Sequence, residues 1–356
     1  MYTKEEINLI ALCSFEELTY KQRFNLLSGL TRNEPDFVKY EEILIKTLGG
    51  GVYNKVKDKF FSQTYREKLI SKLDGRGVKC VTYFSEAYPD TLKNIPCPPI
   101  TLFCKGNINL LKQRCFAVVG SRKTPPNIIK ECKNAANGLS RHFAVVTGMA
   151  DGADAAAIEG ALPSGKIISV LAYGFDHVYP ALNENLLHKV ESNGLLITEY
   201  TPQIPPLNYN FPVRNRIIAG LSEGVLIVSA GKKSGAKITA GYALEYNRRV
   251  FAFPYSVGAG SGEGCNELIR EGATLARDTL DVLTDFGLNF NPPAEPELSE
   301  EEAEILKIIK DAGEAFAPHI AEKAGKPPFR IIPLLSSLEI KGMITRLGGN
   351  RFAALK

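Results

Sequence analysis

FPVRNRIIAGLSEGVLIVSAGKKSGAKITAGYALEYNRRVFAFP, Phe211 to Pro254, is the stretch whose reading decides the fold. At its centre Val225–Val228 is apolar at every position, as expected of a strand in a parallel sheet with helices on both faces. On either side lie short loops punctuated by glycine or asparagine and rich in cations. Between Phe211 and Arg249 there are seven basic residues (Arg214, Arg216, Lys232, Lys233, Lys237, Arg248, Arg249) and two acidic ones, Glu223 and Glu245. Ligands of open α/β sheets bind at loops on strand ends, and loops of this charge select an anion. The stretch therefore points to a polyphosphate or a nucleic acid.

A second anion-seeking loop lies upstream, where the apolar strand Phe116–Val119 runs into Gly120-Ser121-Arg122 and a helix after Pro125-Pro126. Glycine allows close backbone approach, Ser121 supplies a hydroxyl, and Arg122 supplies a planar fork for an oxyanion. A third loop, Thr147-Gly148-Met149-Ala150-Asp151-Gly152-Ala153-Asp154, opens an alanine-rich helix. None of these loops carries the G-x-G-x-x-G spacing of a dinucleotide site, so no NAD or FAD cofactor is expected.

Strands near 116–119, 144–147, 167–171, 195–199, 225–229 and 250–253 alternate with helical stretches. That alternation predicts an α/β, Rossmann-like, doubly wound and mostly parallel sheet over residues 76–288. Residues 1–75 read as a helical domain that ends at Asp74-Gly75-Arg76-Gly77. NFNPPAEPE, residues 289–297, reads as a linker. Beyond it Ser299 and Glu302 predict a capping box for a helix over 300–311. Two more helices and a terminal hairpin (344–347 with 351–354) make residues 298–356 a candidate winged helix.

With 356 residues and a formal net charge of +4, the chain is no polycation; its positive charge is local, which suits a groove. Its seven cysteines form no C-x-x-C pair and are expected as reduced, mostly buried thiols. Four scattered histidines predict no metal site. With no signal peptide and no membrane-length apolar run, a cytoplasmic protein is expected.

Several motifs occur together: YPDTLKNIPCPPITLFCKGN (88–107), FAVVGSRKTP (116–125), VVTGMADGADAAAIEGAL (145–162), FPVRNRIIAGLS (211–222), SGAKITAGYALEYNRRVFAFP (234–254) and GCNELIREGA (264–273). In these the chain resembles the DprA/Smf family, the DNA-processing proteins of bacterial natural transformation, and the tail is similar to that family's winged-helix domain. The resemblance implies single-stranded DNA binding, a homodimer formed through the Rossmann-like domain, and loading of the RecA recombinase onto incoming strands. It implies no catalysis. Residues 1–75 fit a SAM-like or helix-hairpin-helix-like module. Two departures stand out. The family usually reads SGGARGID where this chain has TGMADGAD, which removes an arginine, and PG where this chain has Pro254-Tyr255.

Cations that track phosphates and rings that stack on bases are what a single strand requires. The expected DNA-binding set is Gly120, Ser121, Arg122, Phe211, Arg214, Asn215, Arg216, Lys232, Lys233, Ser234, Gly235, Lys237 and Thr239, with Tyr209 as a second stacking residue. Phe211 precedes Pro212 and is expected to be extended. One arginine of the Arg-Asn-Arg turn is expected to pair with a carboxylate such as Glu199. A nucleotide-hydrolysing Rossmann-like enzyme is the alternative. Such families carry Thr and Glu three apart after paired glycines, whereas Thr239 and Glu245 here are six apart. A sequence-specific duplex regulator fits poorly, since the third helix of the tail contains Pro333 and has only Arg330 and Lys341 nearby.

Overall fold

In the strand Gly224–Ser229, Val225 and Ile227 point into one apolar core and Leu226 and Val228 into another. Successive side chains of a strand face opposite sides, so a strand this apolar requires cover on both faces. The computed structural model, which describes residues 2–27, 37–288 and 298–354, supplies that cover. Helices α1 (Lys4–Cys13), α2 (Tyr20–Leu27), α3 (Phe37–Phe61) and α4 (Gln63–Gly75) come first, and α3 bends at Gly49, where φ is 74°. Strand β1 (Lys79–Thr82), helix α5 (Asp90–Lys93) and strand β2 (Thr101–Gly106) follow.

Alternation then sets in at the expected places: β3 (Cys115–Gly120), α6 (Pro126–Leu139), β4 (Ala144–Thr147), α7 (Ala153–Ala161), β5 (Ile167–Val170), α8 (Glu184–Asn193), β6 (Leu195–Thr198) and α9 (Asn210–Leu221). It continues with β7 (Gly224–Ser229), α10 (Gly235–Glu245), β8 (Arg249–Ala252), α11 (Glu263–Arg270), β9 (Thr274–Leu275) and α12 (Thr279–Asp285). The nine strands form one sheet in the order β1-β2-β6-β5-β4-β3-β7-β8-β9. It is parallel from β6 to β9; β2 is antiparallel to both β1 and β6. One core packs Ile217, Ala240, Ala243 and Leu268 of α9, α10 and α11 against the sheet. The other packs Ala135, Ala157, Val190 and Val282 of α6, α7, α8 and α12.

The described residues of 1–75 form α1 to α4, which share a core with the sheet edge. Leu9, Leu12, Phe15 and Phe60 pack with Cys80 of β1 and Phe103 of β2. The chain accordingly divides into two compact units, Met1–Phe290 and Asn291–Lys356. The proposed linker at 289–297 lies outside the described residues.

The second unit contains α13 (Glu300–Ala312), β10 (Glu314–Phe316), α14 (Ala317–Lys323), α15 (Pro328–Ile340), β11 (Ile344–Leu347) and β12 (Arg351–Ala354). Its strands form a small antiparallel sheet in the order β10-β12-β11. The capping box forms: Ser299 Oγ accepts from Glu302 N at 3.2 Å, and Glu302 Oε2 accepts from Ser299 N at 2.7 Å.

Candidate nucleic-acid interface

From β3 the chain steps to β4, β5 and β6 on one side, and from β7 to β8 and β9 on the other. The carboxyl ends of β3 and β7 therefore flank the point where strand order reverses, the crevice in which open α/β sheets bind ligands. A cleft of about 540 Å³ opens there. Its walls are the loop after β3, the first turns of α9, and the loop that enters α10. Ser234 caps α10, its Oγ accepting from Ala236 N at 3.3 Å, so the helix adds its positive end to the cleft.

Arg122 is held on rings. Its guanidinium carbon lies 5.3 Å from the centroid of Phe211 and 6.0 Å from that of Tyr179, and the two rings meet edge-on at 5.4 Å. Tyr179 is fixed in turn by the Tyr173 hydroxyl, which donates to the Tyr179 carbonyl at 2.7 Å and accepts from its amide at 3.2 Å. The loop after β5 and the first turn of α9 thus hold a cation of the loop after β3, with each ring contact contributing about 0.5–2 kcal/mol. The extended backbone expected at Phe211 is not found. Phe211 lies in the first turn of α9, where the proline after it is tolerated because that turn's N–H groups have no intrahelical partner.

Arg214 and Arg216 are two residues apart on α9, about 200° around a helix of 3.6 residues per turn, and they diverge. Arg214 is buried in the cleft wall and donates to the Val170 carbonyl beside Asp154. Burial lowers the Arg214 guanidinium from its ordinary value, against the pull of Asp154. Burial likewise raises the Asp154 carboxyl, against the pull of Arg214. Gly148 is required here, because a Cβ at that position would collide with both side chains. Arg216 turns away from the cleft. It is 2% exposed, pairs with Glu199 and lies 4.6 Å from the Tyr20 ring centroid. The expected phosphate contact of Arg216 does not fit this position; the guanidinium joins α9 to α2 and β6 inside the protein.

The cleft lining includes Gly120, Ser121, Arg122, Phe211, Arg214, Asn215, Lys233, Ser234, Gly235 and Thr239. Asn215 bridges two walls by donating to the Gly235 carbonyl at 3.3 Å. Lys232 and Lys237 are outside the lining. Lys232 is exposed with its Nζ 3.7 Å from Glu263, and Lys237 is drawn along α10 to Glu267 at 2.7 Å. Tyr209 is exposed just before the cleft wall. Sequence reading missed Lys123 and Asp154, which line the cleft, and the support that Tyr179, in its carboxyl-edge loop, gives Arg122. Lys123 stood next to Arg122 and was there to be found; a ring 57 residues away was not.

The two departures have structural readings. Asp151, where the family usually has arginine, is partly exposed and outside the lining, so Arg122, Lys123, Arg214 and Lys233 are the cations that line the cleft. Gly152, with φ at 75°, lets α7 start against the carbonyls of Ser121 and Arg122. Tyr255 staples its loop over the end of β7. Its hydroxyl donates to the Val228 carbonyl at 2.8 Å, and the Asn266 amide brackets its backbone at 3.0 and 2.9 Å. Among the described residues there is no cluster of His, Cys, Asp and Glu able to hold a metal, and no helix long and apolar enough to cross a membrane.

Residues 79–287 match the family model described as DNA recombination-mediator protein A. The DNA processing protein DprA of Streptococcus pneumoniae is 42% identical over 202 residues, 56% of this chain and 72% of that relative. The Smf protein of Escherichia coli is 34% identical over 278 residues, 74% of each chain. Among solved structures, the S. pneumoniae DprA fold superposes with a TM-score of 0.71 at 32% identity, covering 82% of this chain and all of that one. Helicobacter pylori DprA, solved for its single-stranded DNA binding mode, gives a TM-score of 0.54 at 28% identity over 60% of this chain and 98% of that one.

Proposed function

Because the chain belongs to the family of DNA recombination-mediator protein A, we propose that it binds single-stranded DNA in the β3/β7 cleft, protects incoming transforming strands and loads RecA onto them for homologous recombination. One observation carries the DNA-binding reading: Arg122 is held over the rings of Phe211 and Tyr179 at the mouth of a cleft whose other cations are Lys123, Arg214 and Lys233. A cation fixed before binding loses little side-chain freedom when a phosphate arrives, and the H. pylori relative binds single strands. RecA loading and a homodimer through the Rossmann-like domain rest on the family resemblance.

In this reading residues 1–75 form a helical domain seated on the Rossmann-like domain of 76–288. The segment 289–297 links it to a winged-helix domain of 298–356. The protein acts without catalysis, in the cytoplasm where strands meet the recombinase. A nucleotide hydrolase has less support. Glu245 is exposed at the far end of α10, and the one carboxylate among the cleft-lining residues, Asp154, is buried beside Arg214.

Salt titration of binding to fluorescent oligo-dT and to a matched duplex tests the proposal. Stronger binding to the single strand, with a linear fall of log affinity against log salt, is expected. Equal or stronger binding to the duplex would overturn it.

A further inference from the structure

A second basic groove lies away from the cleft. Along α4 and its cap, Lys68, Lys72 and Arg76 recur every four residues, which puts them on one helix face. With Tyr65, Pro202 and Gln203 they line a groove of about 380 Å³. The acids of this helix are segregated: Glu67 and Asp74 line a different groove, beside α1. Arg76 is held by Asp176 through two bonds of 2.9 and 3.1 Å. Lys68 and Lys72 are exposed and form no ion pair among the described residues. Like charges four apart destabilise a helix, and among the described residues the acid on this face, Asp176, is taken by Arg76.

The loop after β5 connects this groove to the cleft. It carries Tyr179, which supports Arg122, and Asp176, which holds Arg76 and donates its amide to the Pro202 carbonyl at 2.9 Å. The carboxyl ends of β3, β4, β5 and β6 lie side by side along this edge, spanning about 14 Å at the usual strand spacing.

We propose that the α4 groove is a second phosphate-binding site, in which Lys68 and Lys72 take up a single strand after it leaves the β3/β7 cleft along the carboxyl edge of the sheet. This rests on the single-strand reading of the cleft. Arg76, neutralised by Asp176, fixes the groove wall, and the two lysines supply the free charge.

The test uses the full chain with the variant Lys68→Gln/Lys72→Gln and, as a control outside the groove, Lys46→Gln/Lys55→Gln on α3. Binding is measured against oligo-dT of about 5 and about 16 nucleotides, the range of one single-strand site. The groove variant is expected to bind the short strand like the parent and the long strand about tenfold more weakly, with a salt slope reduced by about 1.4 for two lost contacts. The control pair should change neither. Unchanged long-strand affinity and slope would overturn the second site, as would equal losses on both lengths or an equal loss in the control. A parent chain that binds neither length breaks the single-strand reading itself, a separate failure.

Discussion

The β3/β7 cleft and the exposed face of α15 are two regions in which to seek a nucleic-acid site, and they are built from opposite materials. The cleft lining gathers Arg122, Lys123, Arg214 and Lys233 against a single buried carboxylate. Helix α15, which occupies the recognition position of the proposed winged helix, exposes Phe329, Ile332 and Ile340. Of the cations near it, Arg330 is exposed and Lys341 is bound to Glu302 at 2.7 Å. Cations occur in both regions; what separates them is that the cleft gathers four in one concavity, whereas on α15 Arg330 stands exposed among apolar side chains and Lys341 is paired. On α9 too the settings differ: Arg214 lines the cleft beside Asp154, whereas Arg216 turns inward to Glu199.

The largest effect expected from that division is on folding. Arg216→Ala would leave Glu199 buried without its partner, and breaking a buried pair from one side costs about 3–5 kcal/mol. Urea denaturation should show this loss. A change below about 1 kcal/mol, the size of an exposed pair, would return Arg216 to the list of free cations. Next in size is Arg122→Ala, which should reduce oligo-dT affinity about tenfold, or ~1.4 kcal/mol. It should also lower the salt slope by about 0.7, with the melting temperature falling only by what the two ring contacts contribute. Unchanged affinity and slope would remove Arg122 from the site and erase the contrast between the two regions.

Much of the first unit was legible. The strand Val225–Val228 is apolar because both faces are covered, and Gly120-Ser121-Arg122 lies at the switch point because β3 does. What the sequence could not give depends on contacts between distant residues. The order Arg-Asn-Arg does not say which guanidinium turns inward; Glu199 and Tyr20 decide that. Phe211 reads as extended from its proline, yet the chain places that proline in a helix's first turn, where it fits. Lys237 reads as a free cation until α11 brings Glu267 beside it. Tyr179-Pro180 reads as part of a loop at the sheet's carboxyl edge, but the support it gives Arg122 arises only when the loops after β3 and β5 meet.

A smaller effect is expected from deleting the second unit. α13 opens with Glu300, Glu301 and Glu302, which repel phosphates, and α15 offers mainly apolar surface. Truncation after Phe290 should therefore leave a folded core that binds oligo-dT to within about tenfold of the full chain. Loss of all binding would invert the comparison and make the tail the main DNA site.

The smallest effect concerns how α15's neighbouring cation is held. Lys341 and Ser337 both donate to the Glu302 carboxylate, at 2.7 and 2.6 Å, and the Ser299 amide donates to it as well. These bonds, led by that from Lys341, lower the Glu302 carboxyl to about 2. A carboxyl depressed in the folded state stabilises it above the unfolded value, about 4.3, and that contribution fades as pH falls towards 2. Hydrogen-exchange protection of α13 and α15 amides in the full chain, corrected for intrinsic rates, should thus hold from neutral pH to about 5 and decline below about 4. In Glu302→Gln this acid-dependent part should vanish, with lower protection already at neutral pH. The same variant removes the charged partner of Lys341, yet one altered cation at the C-terminal end of α15 is not a phosphate groove, so duplex and oligo-dT affinities should stay at the parent values. A clear gain in duplex binding by Glu302→Gln would mean that the pairing of Lys341, more than the apolar surface of α15, keeps this region from DNA.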